Sequence, residues 1–96
     1  MSKNIYEKAS RAFSALGNEY RVALVLGIEG KMCLSDMADI TGLTVQLTQY
    51  HVKVLIQAGL INAEKVVRRN YLYSLNNGTM KALHNANKIF NLNYTQ

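Results

Sequence analysis

The chain has 96 residues, of which 49% are hydrophobic, so it can form one domain with a buried core and is too apolar for a disordered segment. Eleven lysines and arginines against six acids give a net charge of +5, and the single cysteine excludes an internal disulfide or a multi-cysteine zinc site within one chain. Without a long apolar run or a signal-peptide pattern, we expect a cytoplasmic protein with no membrane partner.

The positive charge is concentrated at the C-terminal end. Through Glu64 the chain holds six basic and six acidic residues. Beyond it there is no acid, and the five basic residues are Lys65, Arg68, Arg69, Lys81 and Lys88. This balance favours an anionic partner, of which nucleic acid is the commonest for a small domain.

Helical periodicity predicts two helices before residue 29. Ile5, Ala9 and Phe13 recur at the spacing of one helical face, which predicts a first helix over 3–16. Residues 19–28 are apolar almost all round, which also allows a buried strand. The cap residue Asn18 and the length of ten favour a central helix.

The stretch 35–58 predicts two short helices joined by a turn at Thr41-Gly42-Leu43. Ser35 is the expected cap of the first helix, and Gly42 permits the left-handed exit that ends it. Thr44 is the expected cap of the second helix, which runs to Ala58. Together the two helices form a helix-turn-helix.

The second of these helices has two distinct faces. The side expected to be buried carries Leu47, His51, Val54, Leu55 and Ala58, with Thr48 at its margin. The opposite side carries Val45, Gln46, Gln49, Tyr50 and Lys53. Because glutamine bonds base edges and lysine bonds phosphates, this side suits a helix that reads a DNA groove. The alternative interpretation is a solvated polar face, which any surface helix has.

After residue 59 the periodicity changes from helix to strand. Residues 63–67 and 71–75 are rich in valine and tyrosine and flank Arg68-Arg69-Asn70, which predicts a β-hairpin over 63–75. Arg68 and Arg69 at its tip suit phosphate contacts or a narrow minor groove. A solvated turn that protects an edge hairpin is the alternative, but we favour DNA contact because the hairpin directly follows a helix-turn-helix.

A last helix is expected over 79–92, with Thr79 as its cap. Its apolar stripe and that of the first helix either pack on the core of the same chain or pair with a second chain. The predicted fold is mainly α: a single winged helix-turn-helix domain over 1–96, with about five helices and a two-stranded β-hairpin as the wing.

Four stretches are similar to motifs of one family. Ala15–Arg21 is similar to A-L-G-D-P-x-R, and residues 43–55 are similar to L-S-Q-S-T-V-S-H-H-L-K-V-L. Gln57–Ile61 matches E-A-G-L-V, and Tyr71–Leu75 resembles the exit of the wing, Y-x-L. From about residue 12 to residue 90 the chain therefore resembles the ArsR/SmtB family of winged helix-turn-helix repressors.

The resemblance implies a homodimer, paired through its first and last helices, that binds double-stranded DNA as a transcriptional repressor. It implies phosphate contacts from Lys53, Arg68 and Arg69. The DNA-facing start of the recognition helix would comprise Thr44, Val45, Gln46, Gln49 and Tyr50. All of these except Thr44 would meet base edges, with glutamine favouring adenine.

The chain departs from the family at the positions of the metal sites. Metal-sensing members carry E-L-C-V-C-D-L where this chain has K-M-C-L-S-D-M, so Cys33 matches the first cysteine and Ser35 replaces the second. The positions that match the family's other site are Asn77, Thr79, Phe90 and Asn93. None of these suits zinc, so we expect neither a metal nor another cofactor.

Cys33 has three interpretations: a buried small apolar side chain, a redox-active thiol, and, least favoured, a metal ligand. His51, mid-way along the apolar face of its helix, is expected to be a satisfied core histidine. With no acid pair, Ser/His/Asp set or glycine-rich phosphate loop, we do not expect an enzyme. The alternative functions are a winged-helix protein-interaction module and a thiol redox-responsive regulator that uses Cys33.

Overall fold

The computed structural model describes residues 3–68 and 70–91. Along this part of the chain lie α1 (Lys3–Ala15), α2 (Glu19–Gly27), α3 (Leu34–Thr41), α4 (Val45–Gln57), β1 (Ile61–Val67), β2 (Asn70–Leu75) and α5 (Asn77–Phe90). The two strands pair antiparallel as a hairpin. The predicted order of five helices and one hairpin is therefore confirmed. Among the described residues, no helix is both long and apolar enough to cross a membrane.

Side-chain caps determine where α2 and α4 begin. Asn18 Oδ1 accepts hydrogen bonds from the backbone N–H of Tyr20 at 2.9 Å and of Arg21 at 3.2 Å. Thr44 Oγ1 accepts from the N–H of Leu47 at 3.1 Å. Both residues act as predicted, because each oxygen satisfies N–H groups that have no partner within the first turn.

The predicted caps of α3 and α5 are wrong. Cys33 occupies the N-cap position of α3, so Ser35 lies inside its first turn. In α5 the cap is Asn76, whose Oδ1 accepts from the N–H of Thr79 at 2.7 Å. Thr79 is instead buried, and its hydroxyl donates to the carbonyl of Leu60 at 3.0 Å. A tertiary hydrogen bond has thus taken the hydroxyl that was expected to cap the helix.

The core lies between α2, α3, α4 and the base of the hairpin. Its largest fully buried side chains come from α2, α3, α4 and the residue that ends α2: Leu24, Val25, Ile28, Met37, Val52 and Leu55. The hairpin closes the core with Ile61, Tyr73 and Leu75. The segment before α3 joins the sheet, because Met32 and Tyr73 exchange backbone hydrogen bonds of 2.9 and 2.8 Å.

The hairpin starts nearer to α4 than predicted, and its register is irregular near the tip. Pairing runs from Ile61 opposite Leu75 to Lys65 opposite Tyr71, and a bulge precedes the last pair, Val67 opposite Asn70. The bulge leaves one extra residue on β1 and bends that strand. Arg68 follows, with φ of 49°, in the left-handed region.

The terminal helices leave apolar side chains uncovered in the single chain. Phe13 on α1 is 74% exposed and Ile89 on α5 is 72% exposed. Ile5 and Met80 are about half exposed. The apolar stripes of these helices are therefore only partly used by the core of their own chain.

Candidate nucleic-acid interface

The buried face of α4 is rotated from the predicted one by the angle between successive residues of a helix, about 100°. Its buried face is centred on Thr48, Val52 and Leu55, none of them more than 1% exposed. Leu47, which was expected inside, is 53% exposed, and Thr48 was expected only at the margin. The predicted buried face is thus wrong at Leu47 and incomplete at Val52.

A hydroxyl pair across the helix-turn-helix explains why Thr48 is buried. Thr48 Oγ1 lies 2.8 Å from Thr41 Oγ1. The Thr41 hydroxyl donates to the carbonyl of Ala38 at 3.1 Å and accepts from the N–H of Leu43 at 3.1 Å. Because a hydroxyl has one hydrogen, Thr48 is the donor of the pair. Thr48 therefore enters the core with its polar group satisfied, and the pair fixes α4 against the end of α3.

The predicted contact residues of α4 share its exposed face. Val45, Gln46, Gln49, Tyr50 and Lys53 are all exposed. Tyr50, the one tyrosine of the helix-turn-helix, is 60% exposed. Thr44 is also exposed, although its hydroxyl is engaged as the cap of α4.

A groove of about 980 Å³ separates α4 from the hairpin. Gln49 and Lys53 line it from α4, and Lys65, Arg68 and Tyr71 line it from the hairpin. Of the predicted contact residues, the groove thus brings together one amide and two cations, whereas Val45, Gln46 and Tyr50 lie outside its lining.

Lys65 and Tyr71 are among the groove residues that the sequence did not predict as contact residues. Lys65 and Tyr71 face each other in the hairpin register, and both line the groove. The excess of basic residues after Glu64 was the available signal for Lys65. Arg69, the other predicted arginine of the tip, lies outside the described residues.

Cys33 also lines the groove, at the start of α3. Its Sγ donates to Asp36 Oδ2 at 3.1 Å and lies 3.1 Å from Ser35 Oγ. Because the side chain is only partly buried, the interpretation as a buried apolar residue is wrong. Within 3–68 and 70–91, no three histidine, cysteine, aspartate or glutamate side chains are grouped to hold a metal ion.

His51 is half-buried at the junction of α2 and α4. The prediction that it is a core histidine is therefore wrong. Its Nδ1 is 3.3 Å from Arg21 Nη1, and its ring contacts those of Tyr20 and Tyr50 at centroid distances of 5.6 and 5.2 Å. Burial, and then the charge of Arg21, lower the pKa of His51 below its ordinary value of 6.5. Arg21 is thirty positions away, so no local pattern indicates this contact.

The fold and this surface define a winged helix-turn-helix domain in which the polar face of α4 is exposed beside a hairpin that carries Lys65 and Arg68. No protein-family model matches the chain. The arsenical resistance operon repressor of Bacillus subtilis (strain 168) is 30% identical to it over 81 residues, which cover 82% of this chain and 76% of the relative. A cadmium resistance transcriptional regulatory protein, the CadC homolog of Staphylococcus aureus, is 32% identical over 76 residues, which cover 77% of this chain and 62% of that protein.

A solved structure has the same fold at low sequence identity. It is the homodimeric winged helix-turn-helix DNA-binding domain of a possible ArsR-family transcriptional regulator from Mycobacterium bovis, with a TM-score of 0.84. The two chains are 16% identical, over 95% of this chain and 88% of that one. This protein belongs to the ArsR/SmtB family of winged helix-turn-helix transcriptional regulators.

Proposed function

We propose that this protein is a dimeric transcriptional repressor that binds double-stranded DNA at preferred sequences. The observation that carries the proposal is the groove between α4 and the hairpin, where an exposed amide and cations from both elements meet. The name of the Bacillus relative, an operon repressor, supports the regulatory role. The exposed face of α4 has the size and chemistry to enter a major groove.

In this proposal α4 supplies the contacts that distinguish bases. Gln46 and Gln49 bond base edges, for which adenine offers a matching donor and acceptor. Val45 and Tyr50 supply apolar contact, for which the thymine methyl group is the complementary surface. Lys53 contacts a phosphate at the edge of the groove and so fixes the register of the helix on the duplex.

The hairpin supplies contacts that depend on charge. Arg68 at the turn and Lys65 before it lie on the wall opposite α4, and we assign both to the DNA backbone, together with Arg69. Glu64, the acid nearest in sequence to these cations, forms an ion pair with Lys31 at 2.8 Å. The ion pair leaves the charges of Lys65 and Arg68 available for phosphates. Because phosphate contacts carry no base information, the hairpin strengthens binding to any duplex more than it selects a sequence.

Two copies pair through α1 and α5 in this proposal. The exposed apolar side chains of these helices, among them Phe13 and Ile89, supply surface for a symmetric interface. The homodimeric domain from Mycobacterium bovis has the same fold and supports this arrangement. A two-fold dimer would present its two α4 helices to half-sites about one helical turn, or a small multiple, apart.

We further propose that the protein acts without the metal sites of its family. The groups near the start of α3 are one thiol, one hydroxyl and one carboxylate, and soft metals select thiolates. A single thiol therefore does not fit a two-thiolate site. At the second site Thr79 is a neutral residue whose hydroxyl is engaged by Leu60. A phenylalanine such as Phe90 has no ligand atom in its side chain, and Asn93 lies outside the described residues.

The proposal is tested by selecting duplexes from a random library with the wild-type protein and measuring affinity by fluorescence anisotropy. Gln49→Ala is expected to weaken binding to the selected duplex by about 1–3 kcal/mol more than binding to random DNA. Gln57→Ala is the matched control, since Gln57 is exposed on the same helix away from the groove. Equal losses on both duplexes would remove Gln49 from base reading. A wild-type protein that binds no duplex would instead favour the protein-interaction module.

A further inference from the structure

We propose that His51, held by Arg21, is a positioning residue that fixes the ring of Tyr50 on the DNA-facing side of α4. The inference rests on the proposed function, because the position of Tyr50 matters only if α4 reads DNA. It adds a role for two residues that lie beneath the contact surface. It also connects the end of α1, through α2, to the recognition helix.

Arg21 is the fixed end of this arrangement. Its Nε donates to the carbonyl of Ala15, the last residue of α1, at 2.6 Å. Its backbone N–H donates to Asn18 Oδ1 at the cap of α2. Both the backbone and the guanidinium of Arg21 are therefore held by α1 and the cap of α2, and Nη1 of the same guanidinium lies 3.3 Å from His51 Nδ1 on α4.

The contact with Arg21 determines the tautomer of His51. A guanidinium has five donors and no acceptor, so Nδ1 must present its lone pair to Nη1. The imidazole is then neutral, with its hydrogen on Nε2. The bond from Arg21 to Nδ1 and the contact with the Tyr20 ring hold the imidazole of His51 in one orientation.

The ring of Tyr50 packs against the imidazole of His51. The two rings meet edge to face, with centroids 5.2 Å apart and an angle of 68° between their planes, which is a favoured aromatic geometry. Tyr20 lies on His51 from α2 at 5.6 Å and 34°. Because Tyr50 is 60% exposed, a free ring would have to be ordered when DNA binds. Contact with a fixed imidazole orders the ring beforehand.

Protonation of His51 reverses this arrangement. Among the described residues, the titratable or charged side chains in contact with its ring are Arg21 and Tyr20 from α2 and Tyr50 from α4. A proton on Nδ1 places a second donor and a second positive charge against the guanidinium, so the contact breaks. The added charge attracts any DNA, whereas the released Tyr50 ring affects the preferred site. The diagnostic quantity is therefore the ratio of the dissociation constants for random and selected duplexes.

The first experiment is a double-mutant cycle between positions 50 and 51, read as this ratio. His51→Asn, which removes the ring but keeps an acceptor for Arg21, is expected to lower the ratio about fivefold in the wild-type background and less than about twofold beside Tyr50→Ala. The control is His84→Asn, because His84 is the other histidine of the chain and is exposed on α5. This variant should leave the ratio unchanged. Equal losses in both backgrounds would overturn the positioning role.

The second experiment needs no substitution at position 51 and stands even if His51→Asn does not fold. Because burial and Arg21 lower the pKa of His51, the ratio for the wild-type protein should stay constant above pH 6.5 and fall as the pH is lowered from 6.5 towards about pH 5. His84→Asn should show the same fall, and folded His51→Asn should show none. A flat wild-type profile, with preference for the selected duplex intact, would overturn this inference alone. A wild-type protein without preference at any pH would overturn the proposed function as well.

Discussion

Arg68 offers a test in which stability and DNA affinity move in opposite directions. Its φ of 49° lies in the left-handed region, which costs an L residue roughly 1–2 kcal/mol relative to the right-handed helical region. Glycine avoids that cost, although its extra freedom in the unfolded chain offsets about 0.5–1 kcal/mol of the gain. We therefore expect Arg68→Gly to raise the free energy of unfolding by about 0.5–1 kcal/mol.

Arg68→Ala is the matched comparison, because it loses the same charge but keeps a Cβ at positive φ. Its free energy of unfolding should not exceed that of the wild type. Both variants should weaken binding to selected and random duplexes alike. Each should also lower the salt slope of binding by about 0.9 per lost phosphate contact, or about 1.8 for a dimer with two wings.

Urea denaturation followed by circular dichroism measures the free energy of unfolding. All variants are compared at one protein concentration, because the stability of a dimer depends on concentration. Fluorescence anisotropy over a range of salt concentrations measures DNA affinity and its salt slope. If Arg68→Gly is no more stable than Arg68→Ala, the strain argument is wrong. If the salt slope is unchanged in both variants, Arg68 does not contact the backbone. A left-handed arginine kept at a turn where glycine is more stable is expected when the side chain has a function.

Three further predictions concern stability and oxidation. Thr48→Val should lower the free energy of unfolding by about 0.5–1.5 kcal/mol in urea titrations, because the buried bond to Thr41 is lost without a change of shape; a variant as stable as wild type would contradict this. His51 binds protons less readily in the folded chain, so its contribution to stability is full above pH 6.5 and is lost as the pH falls through its lower folded pKa. Unfolding midpoints should accordingly fall more between about pH 7 and about pH 5 in wild type and His84→Asn than in His51→Asn, and equal falls would contradict the assignment. Any change of DNA affinity caused by peroxide should be absent from Cys33→Ser, since the chain has one cysteine; a change that persists in this variant would exclude a thiol switch at Cys33.

The set of helices and strands and their order can be predicted from local sequence signals. The caps Asn18 and Thr44 act within three residues of their own position, and Gly42 and Gly59 adopt the positive φ that ends a helix. The change of period after Gly59 marks the hairpin. Each of these signals depends on backbone groups a few residues apart, so the local sequence contains the whole interaction.

Which side of each helix is buried depends instead on contacts between residues far apart in the chain. Thr48 is buried and Leu47 exposed because a hydroxyl on α3 meets Thr48, and a helical pattern of polar and apolar residues cannot contain that partner. Thr79 leaves its expected cap for a carbonyl nineteen positions away. Arg21 and His51 meet across thirty positions. Periodicity predicts that α4 has an inside and an outside, but the groups that satisfy its polar side chains come from α2 and α3, and their packing sets its rotation and the surface that it presents.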